Sequence, residues 1–431
     1  MSKITFSLTG DAFMTRPLGE VPYDGFEAVR GIIEKCDVRF NNLEFTSHDQ
    51  EGSPAAVSGG TWAMSEPAIL DDLKRFSFNI YNTANNHSLD YGEGGVLGTL
   101  KHTAERGMAT CGTGATLCEA NAPAWVEVGG KKVAVIGACS SMKIFHPAGD
   151  ATTRLRGRPG LNPLGFNTVF HVTQDEYDML ERIAAETDMN AAQNHSIEIG
   201  YSMPLPEGKL NFGGQSFLLD ERSYKETKPK AADVKRILAS VQEAKKTADY
   251  VCVSLHAHEY AGTDTAVPAQ FVVDFAHQVI DGGADAFIGH GPHVLRGIEI
   301  YKGKPIFYSL GNFVFQTETV RLQPADAYIK VGLPTESDVR ELMLRRSAND
   351  TRGYPTIHEI WHSVIANFTM EDGKLTEIRL YPIELSMGKP MEVRGWPRLD
   401  RSMDTVKYLA SLSEPYGTRI ELEDGCGVIR F

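Results

Sequence analysis

Short apolar runs recur along this chain, each closing on a polar or glycine-containing break, with stretches of helical spacing between them. Residues 3–9 read as a buried first strand ended by Gly10-Asp11, and 26–35 as a helix. Residues 38–43 form a second strand that stops at Glu44; 66–74 resumes a helix. A third run, 78–84, ends in Asn85-Asn86-His87 and precedes the helical spacing of 94–106. Runs at 108–112, 124–128 and 132–138 continue the strand series. Within them 133–138 is near-continuously apolar, as in a strand buried on both faces. After an amphipathic helix at 231–248, residues 250–255 make a strand ending in His256-Ala257-His258-Glu259-Tyr260. A helix at 268–282 then leads into 282–315. There one apolar run stops at Gly289 and delivers His290 and His293 into a Gly- and Pro-shaped turn, and two more β-rich runs follow at 294–301 and 305–310.

The alternation lapses between 140 and 230, which is rich in Gly, Pro and polar residues. A loop that long in a compact domain is usually functional, so this region reads as a substrate-loop insertion. Residues 55–62, small and Gly-rich, read as a loop over the site. The tail divides into a charged, partly helical insertion or lid at 321–358 and a C-terminal part at 359–431. The latter reads as strands joined by the Glu371-Asp372-Gly373-Lys374 turn, then a final helix over 399–413, completing the core. With no solenoid period, low-complexity tract or Gly/Ser linker, one core at 1–320 with excursions is expected rather than separate folding units.

Composition changes this picture little. The 431 residues are 42% apolar and 23% charged, ordinary for a globular chain. A formal net charge of -13 disfavours non-specific nucleic-acid binding but leaves room for a locally positive site around bound cations. Six cysteines are scattered without a C-x-x-C pair and read as buried free thiols. The N-terminal MSKITFSLTGD runs directly into a strand, with neither a signal-type apolar region nor a spanning segment, so a cytoplasmic location without a membrane segment is expected. A homo-oligomer is left open.

Strand ends are where α/β proteins collect ligands, and here they gather Asp11, Glu44, Asn86, His87, His256, His290 and His293. Taken singly, each has an ordinary explanation: Gly-Asp and Asn-Asn are common turn pairs, and a terminal glutamate can face solvent. The repetition of the pattern is what points to a site. Oxygen and imidazole donors without thiolate suit Mn²⁺, Zn²⁺, Fe or Mg²⁺. A carboxylate able to bridge, Glu44, suits two divalent ions that activate a water between them, so hydrolysis is the expected chemistry. His256 and His258, two apart on an extended segment, can reach one site. In the loop region Arg158 and Asn162 are candidates for holding a carboxylate or phosphate, the alternative for any one arginine being a solvated basic face. His146, His171 and His195 have no paired spacing and read as structural or exposed.

The series Gly10-Asp11, Asn42-Leu43-Glu44, ANNHSLDYG from Ala84, SLHAHEY from Ser254, GADAFIGHGPHV from Gly283 and GKPIFYSLGNF from Gly303 resembles the CapA family. These are the poly-γ-glutamate capsule synthesis proteins, a branch of the calcineurin-like metallophosphoesterase superfamily. The resemblance covers roughly three quarters of the chain, in family order. It implies a four-layer α/β/β/α sandwich of the metallophosphoesterase type with a dimetal centre at the strand ends. By position, Asp11 and His293 match ligands of one metal, Asn86, His256 and His290 ligands of the other, and Glu44 the bridge. His87 matches the imidazole facing the leaving group, with Asp90 orienting it. The chain departs from the pattern in three places. Asp11-Ala12-Phe13 lacks a histidine common in the superfamily. His256-Ala257-His258-Glu259 is one residue shorter than a frequent family form, which makes His258, with Glu259, a substrate contact or a replacement ligand. Gly291 stands where a histidine is common, and reads as an opening for a larger substrate. The implied activity is a metal-dependent hydrolase acting on a glutamyl or peptide-like amide, or another anionic, carboxylate-bearing small substrate. A phosphoester substrate and a non-catalytic role in polymer assembly stay open.

Overall fold

Two large β-sheets meet face to face, and the apolar runs read from the sequence are their strands. The computed structural model describes residues 3–431; Met1 and Ser2, with which the N-terminal reading begins, lie outside the described residues. The larger sheet has ten strands. At its centre Lys3–Phe13 pairs in parallel with Val38–Leu43, which continues in parallel to Ile80–Asn82 and Thr110–Cys111. On its other side Lys3–Phe13 pairs antiparallel with the His362–Glu371 and Lys374–Glu384 hairpin. The smaller sheet has six strands, and in it Lys131–Cys139, Tyr250–His256, Ala286–His290 and Lys304–Leu310 run parallel.

Between the sheets lies a core of Phe6, Leu8, Phe40 and Ile80 from one side and Val133, Val135, Cys252 and Ile288 from the other, all buried. The outer face of the six-stranded sheet is covered by helices Ala231–Lys245 and Gln270–Asp281 through Ile237, Val241, Phe271 and Phe275. The larger sheet is covered by Phe26–Ile33 and Ala68–Lys74 through Val29, Ile33, Leu70 and Leu73. At about 1.5–3 kcal/mol for each large apolar side chain taken from water, these three interfaces hold four layers together. The chain is the expected α/β/β/α sandwich. No helix among the described residues is long and apolar enough to cross a membrane.

Two regions differ from the sequence reading. Residues 166–229 of the 140–230 stretch form a folded unit rather than a loop. It contains a four-stranded sheet of Lys209–Phe212, Gln215–Leu219, Phe166–Val172 and Tyr224–Pro229, with helices Gln174–Glu186 and Ala191–Glu198 beside it. Its strands are half-exposed, so no continuous apolar run announces them. The helix expected over 399–413 is confined to Asp404–Ser413 and is not the last element, because a short hairpin, Glu421–Glu423 with Cys426–Arg430, extends the large sheet. The predicted turn at Asp372-Gly373 is present, both residues having positive φ. The 321–358 segment carries helices Ala325–Lys330 and Val339–Arg346.

Candidate metal centre

Parallel strands in both sheets bring their carboxyl ends to one edge, and that edge is where Asp11, Glu44, His256, His258, His290 and His293 converge. Asp11 lies in the first strand where its pairing to both neighbours shifts register, a local irregularity that turns its side chain into the cleft. Glu44 follows Val38–Leu43 directly. His256 and His290 end adjacent strands and are partners across the ladder. His293 adopts φ 61°, the left-handed region. Asn312 holds it there, with Oδ1 2.9 Å from His293 Nδ1 and its amide donating to the His293 carbonyl at 3.2 Å.

The donor atoms form one cluster. Asp11 with His256 and His290, Asp11 with Glu44 and His293, and Glu44 with His256 and His258 each place one ligand atom per residue within 4.8 Å of the others. His258 therefore joins the candidate ligands. His256 Nδ1 lies 3.1 Å from His290 Nδ1, and His256 Nε2 lies 3.1 Å from His258 Nε2. Burial, reinforced by the neighbouring imidazoles, holds His256 and His258 well below the usual histidine range, and burial pushes His290 down to about 4. All three are neutral near pH 7, the ligating form.

Burial would raise the Asp11 carboxyl, but a hydrogen bond from His293 and the charges of His290 and His293 outweigh it and lower it. Its oxygens accept from Asn42 Nδ2 at 2.7 Å and from the Gly291 amide at 3.1 Å. Glu44 goes the other way: burial, then Asp11 and Asp90, push it well above the carboxylate range. Both its oxygens are buried without a hydrogen-bond partner, and so is Asn86 Oδ1. Buried oxygens without a partner, such as those of Glu44 facing His256 and His293, are costly in a protein interior unless a cation completes them. The residues present fit a centre for one or two divalent ions.

Beside the cluster, His87 Nδ1 meets Asp90 Oδ2 at 2.6 Å, and Asp90 also accepts from the amides of Gly59 and Ala63. The 55–62 loop lies over this pair as expected. Gly59 approaches so closely that a Cβ there would stand 2.5 Å from Asn86 Nδ2 and 2.9 Å from His87 Cε1.

The remaining candidates lie elsewhere or are already committed. Glu259 accepts from the hydroxyls of Ser140 and Ser141, which anchors the segment after His256. Asn162 is fully buried. Its amide donates to the Gly137 carbonyl and Asn121, and its oxygen accepts from Arg236, so it braces the Lys131–Cys139 strand. Arg158 is exposed and donates to the Pro147 carbonyl. None of the three is brought to the cluster. Gly291 is not an opening either: a Cβ there would sit 2.9 Å from the Ala257 backbone nitrogen, so glycine serves the close approach that brings its N–H to Asp11.

One residue escaped the sequence reading, and a second was read only as structural or exposed. Arg296 is fully buried and donates to the carbonyls of Thr265, Ala257, His258 and Glu259, fixing the turn that carries His258. An arginine inside the β-rich 294–301 run was the available signal. His146, which reads from the sequence as structural or exposed, is buried with neither ring nitrogen bonded. Burial, with Lys143 and then His87 adding to it, pushes it down to about 4.

Comparison with known proteins gives the family. A family model described as "Bacterial capsule synthesis protein PGA_cap" matches residues 5–317. The chain is 34% identical to the Sinorhizobium fredii protein named "Uncharacterized protein y4sH", over 99% of this chain and 93% of that one. It is 26% identical to the "PGA biosynthesis protein CapA" of Bacillus subtilis, over 70% of this chain and 62% of the relative. A solved structure of a hypothetical protein from Thermus thermophilus aligns with TM-score 0.37 at 13% identity, covering 89% of this chain and 99% of that one. With the model spanning most of its length and its motifs in family order, the chain belongs to the bacterial capsule synthesis protein family that includes CapA.

Proposed function

We propose that the protein is a metal-dependent hydrolase of amide bonds in carboxylate-bearing small molecules or peptides. The observation that carries this reading is the pairing of two features: the orphaned Glu44 oxygens among neutral imidazoles, and the separate His87–Asp90 dyad beside them. A binding protein needs the first and has no use for the second.

Asp11, Glu44, Asn86, His256, His258, His290 and His293 would hold two ions. When bound, divalent ions supply Lewis-acid polarisation of the scissile carbonyl and a nucleophilic water at neutral pH. The chain's own residues do the rest. Asn42 and the Gly291 amide fix Asp11, Ser254 fixes His290 through Nε2 at 2.6 Å, and Arg296 fixes the His258 turn. Asp90 orients His87 with Nδ1 engaged, leaving Nε2 to deliver a proton to the leaving nitrogen as the C–N bond breaks. The 55–62 loop, pressed on His87 and Asn86, excludes bulk water from that side.

An amide is favoured over a phosphoester because, among the described residues, Asp11 and Glu44 pair with histidines in the cluster and not with an arginine. Arg296, which reaches it, spends its guanidinium on backbone carbonyls, and Arg158 is exposed. Turnover should be screened on γ-glutamyl amides, phosphomonoesters and phosphodiesters with added Mn²⁺. Cleavage of the amide series with His87→Ala inactive and folded is the expected result. Cleavage of phosphoesters alone refutes the amide assignment.

A further inference from the structure

Next to the metal centre is a second cavity of about 180 Å³, lined among others by Thr61, Glu318, Met343, Arg346, Arg352 and Tyr354. Its wall is shared with the centre. The Tyr354 ring stands edge-on to His293 at 5.8 Å and to Phe315 at 5.2 Å. The cavity is therefore one aromatic ring away from a candidate ligand.

Arg346, at the end of the Val339–Arg346 helix, is half-buried in this cavity. One terminal nitrogen donates to Thr61 Oγ1 at 2.8 Å and contacts Met343 Sδ at 3.7 Å. Among the described residues no carboxylate pairs with it. Glu318, the acid in the same cavity, is held by Arg394 at 2.6 Å, and Asp350 completes that pair from the other side at 2.9 Å. Arg352 donates to the Arg346 carbonyl at 2.9 Å and, without an ion pair among the described residues, brings a second guanidinium to the rim. Arg346 also lines an adjoining cavity of about 380 Å³ together with Lys143, Lys330 and one acid, Asp326, beside the 55–62 loop. In a chain of net charge -13 this is a local excess of cations. A half-buried guanidinium whose neighbouring acid, Glu318, is committed to Arg394, beside methionine and tyrosine, suits a planar anion on an aliphatic stem.

We propose that this cavity is the recognition pocket for the substrate's carboxylate. Arg346 makes the principal contact, Arg352 supports it, and the scissile bond extends past Tyr354 to the metal centre. The proposal rests on the hydrolase reading for its second half, the direction of the bond. The pocket itself is an anion site supplied by the 321–358 segment, not by the 140–230 insertion.

The test is calorimetric titration of glutarate, its uncharged analogue glutaramide, and methyl phosphate into the manganese-supplemented protein, in wild type, Arg346→Met and Arg346→Lys. Glutarate should bind wild type and weaken roughly tenfold or more in Arg346→Met, the scale of one lost charge-assisted contact. Glutaramide should not bind, Arg346→Lys should fall between, and manganese affinity should stay unchanged. Glutarate that fails to bind wild type, binds Arg346→Met equally well, or is matched by glutaramide overturns the pocket. Methyl phosphate binding in an Arg346-dependent way while glutarate does not overturns the carboxylate assignment. Should Arg346→Met not fold, the Arg346→Lys titration decides alone, equal glutarate affinity to wild type counting against the proposal. Failure of the hydrolase reading is scored separately, as absent manganese uptake or turnover in the same wild-type sample.

Discussion

His87 Nδ1 lies 2.6 Å from Asp90 Oδ2, three residues on, and both side chains are buried. In the proposed mechanism the carboxylate fixes which ring nitrogen would face the reacting bond. Asp90→Asn offers an amide where the carboxylate stood and reverses that preference. Turnover should drop roughly 100- to 10,000-fold with KM little changed. Thermal melts should show a loss of about 1–3 kcal/mol, because the same carboxylate accepts from the Gly59 and Ala63 amides. A kcat within threefold of wild type would remove His87 from the mechanism.

Arg296 gives a sharper structural prediction. Arg296→Met leaves four backbone carbonyls without their donor, and the loss of stability should be on the order of 3 kcal/mol or more. Arg296→Lys should not restore it, since an ammonium cannot span the same fork. Urea unfolding measures both, and manganese titration of the folded fraction should show weakened uptake as His258 loses its anchor.

How much of this was legible in the chain depends on range. The gathering of Asp11, Glu44, His256 and His290 was readable because each ends an apolar run, and parallel strands bring their ends to one edge. What those ends do with neighbours far away in sequence was not. Glu259 looks like a free carboxylate until Ser140 and Ser141 are folded against it, and Asn162 looks like a loop amide until Arg236 and Gly137 consume it. The sheet built from residues 166–229 and the terminal hairpin at 421–430 are half-exposed or short, so periodicity could not mark them. Arg346 carries no local signal at all, and its meaning comes from Glu318 being committed to Arg394.

Asn162 supplies a direct check on that point. Asn162→Ala should lower stability by about 1–3 kcal/mol through the lost contacts to Gly137 and Arg236. KM for the cleaved substrate should be unaltered at a temperature where the variant is folded. A severalfold rise in KM would return Asn162 to the substrate.

His146 predicts a pH dependence. Its ring is held down to about 4 from an ordinary 6.5. Between those values the unfolded chain carries the proton and the folded one does not. The stability it contributes is therefore fully present above 6.5 and lost as pH falls through the window. The difference corresponds to about 3 kcal/mol between pH 7 and pH 4. Urea unfolding across that range should show a steeper acid loss in wild type than in His146→Leu; parallel curves would contradict the burial.

The most direct test of the account is manganese content per chain together with amide turnover, in wild type and Glu44→Gln. Glutamine preserves the shape of Glu44 while removing its capacity to act as a carboxylate ligand. Wild type should take up two ions and cleave a γ-glutamyl amide, and Glu44→Gln should keep its fold, lose at least one ion and lose turnover. Fewer than one ion per chain in wild type, or equal uptake and turnover in the two proteins, would contradict the metal-dependent hydrolase.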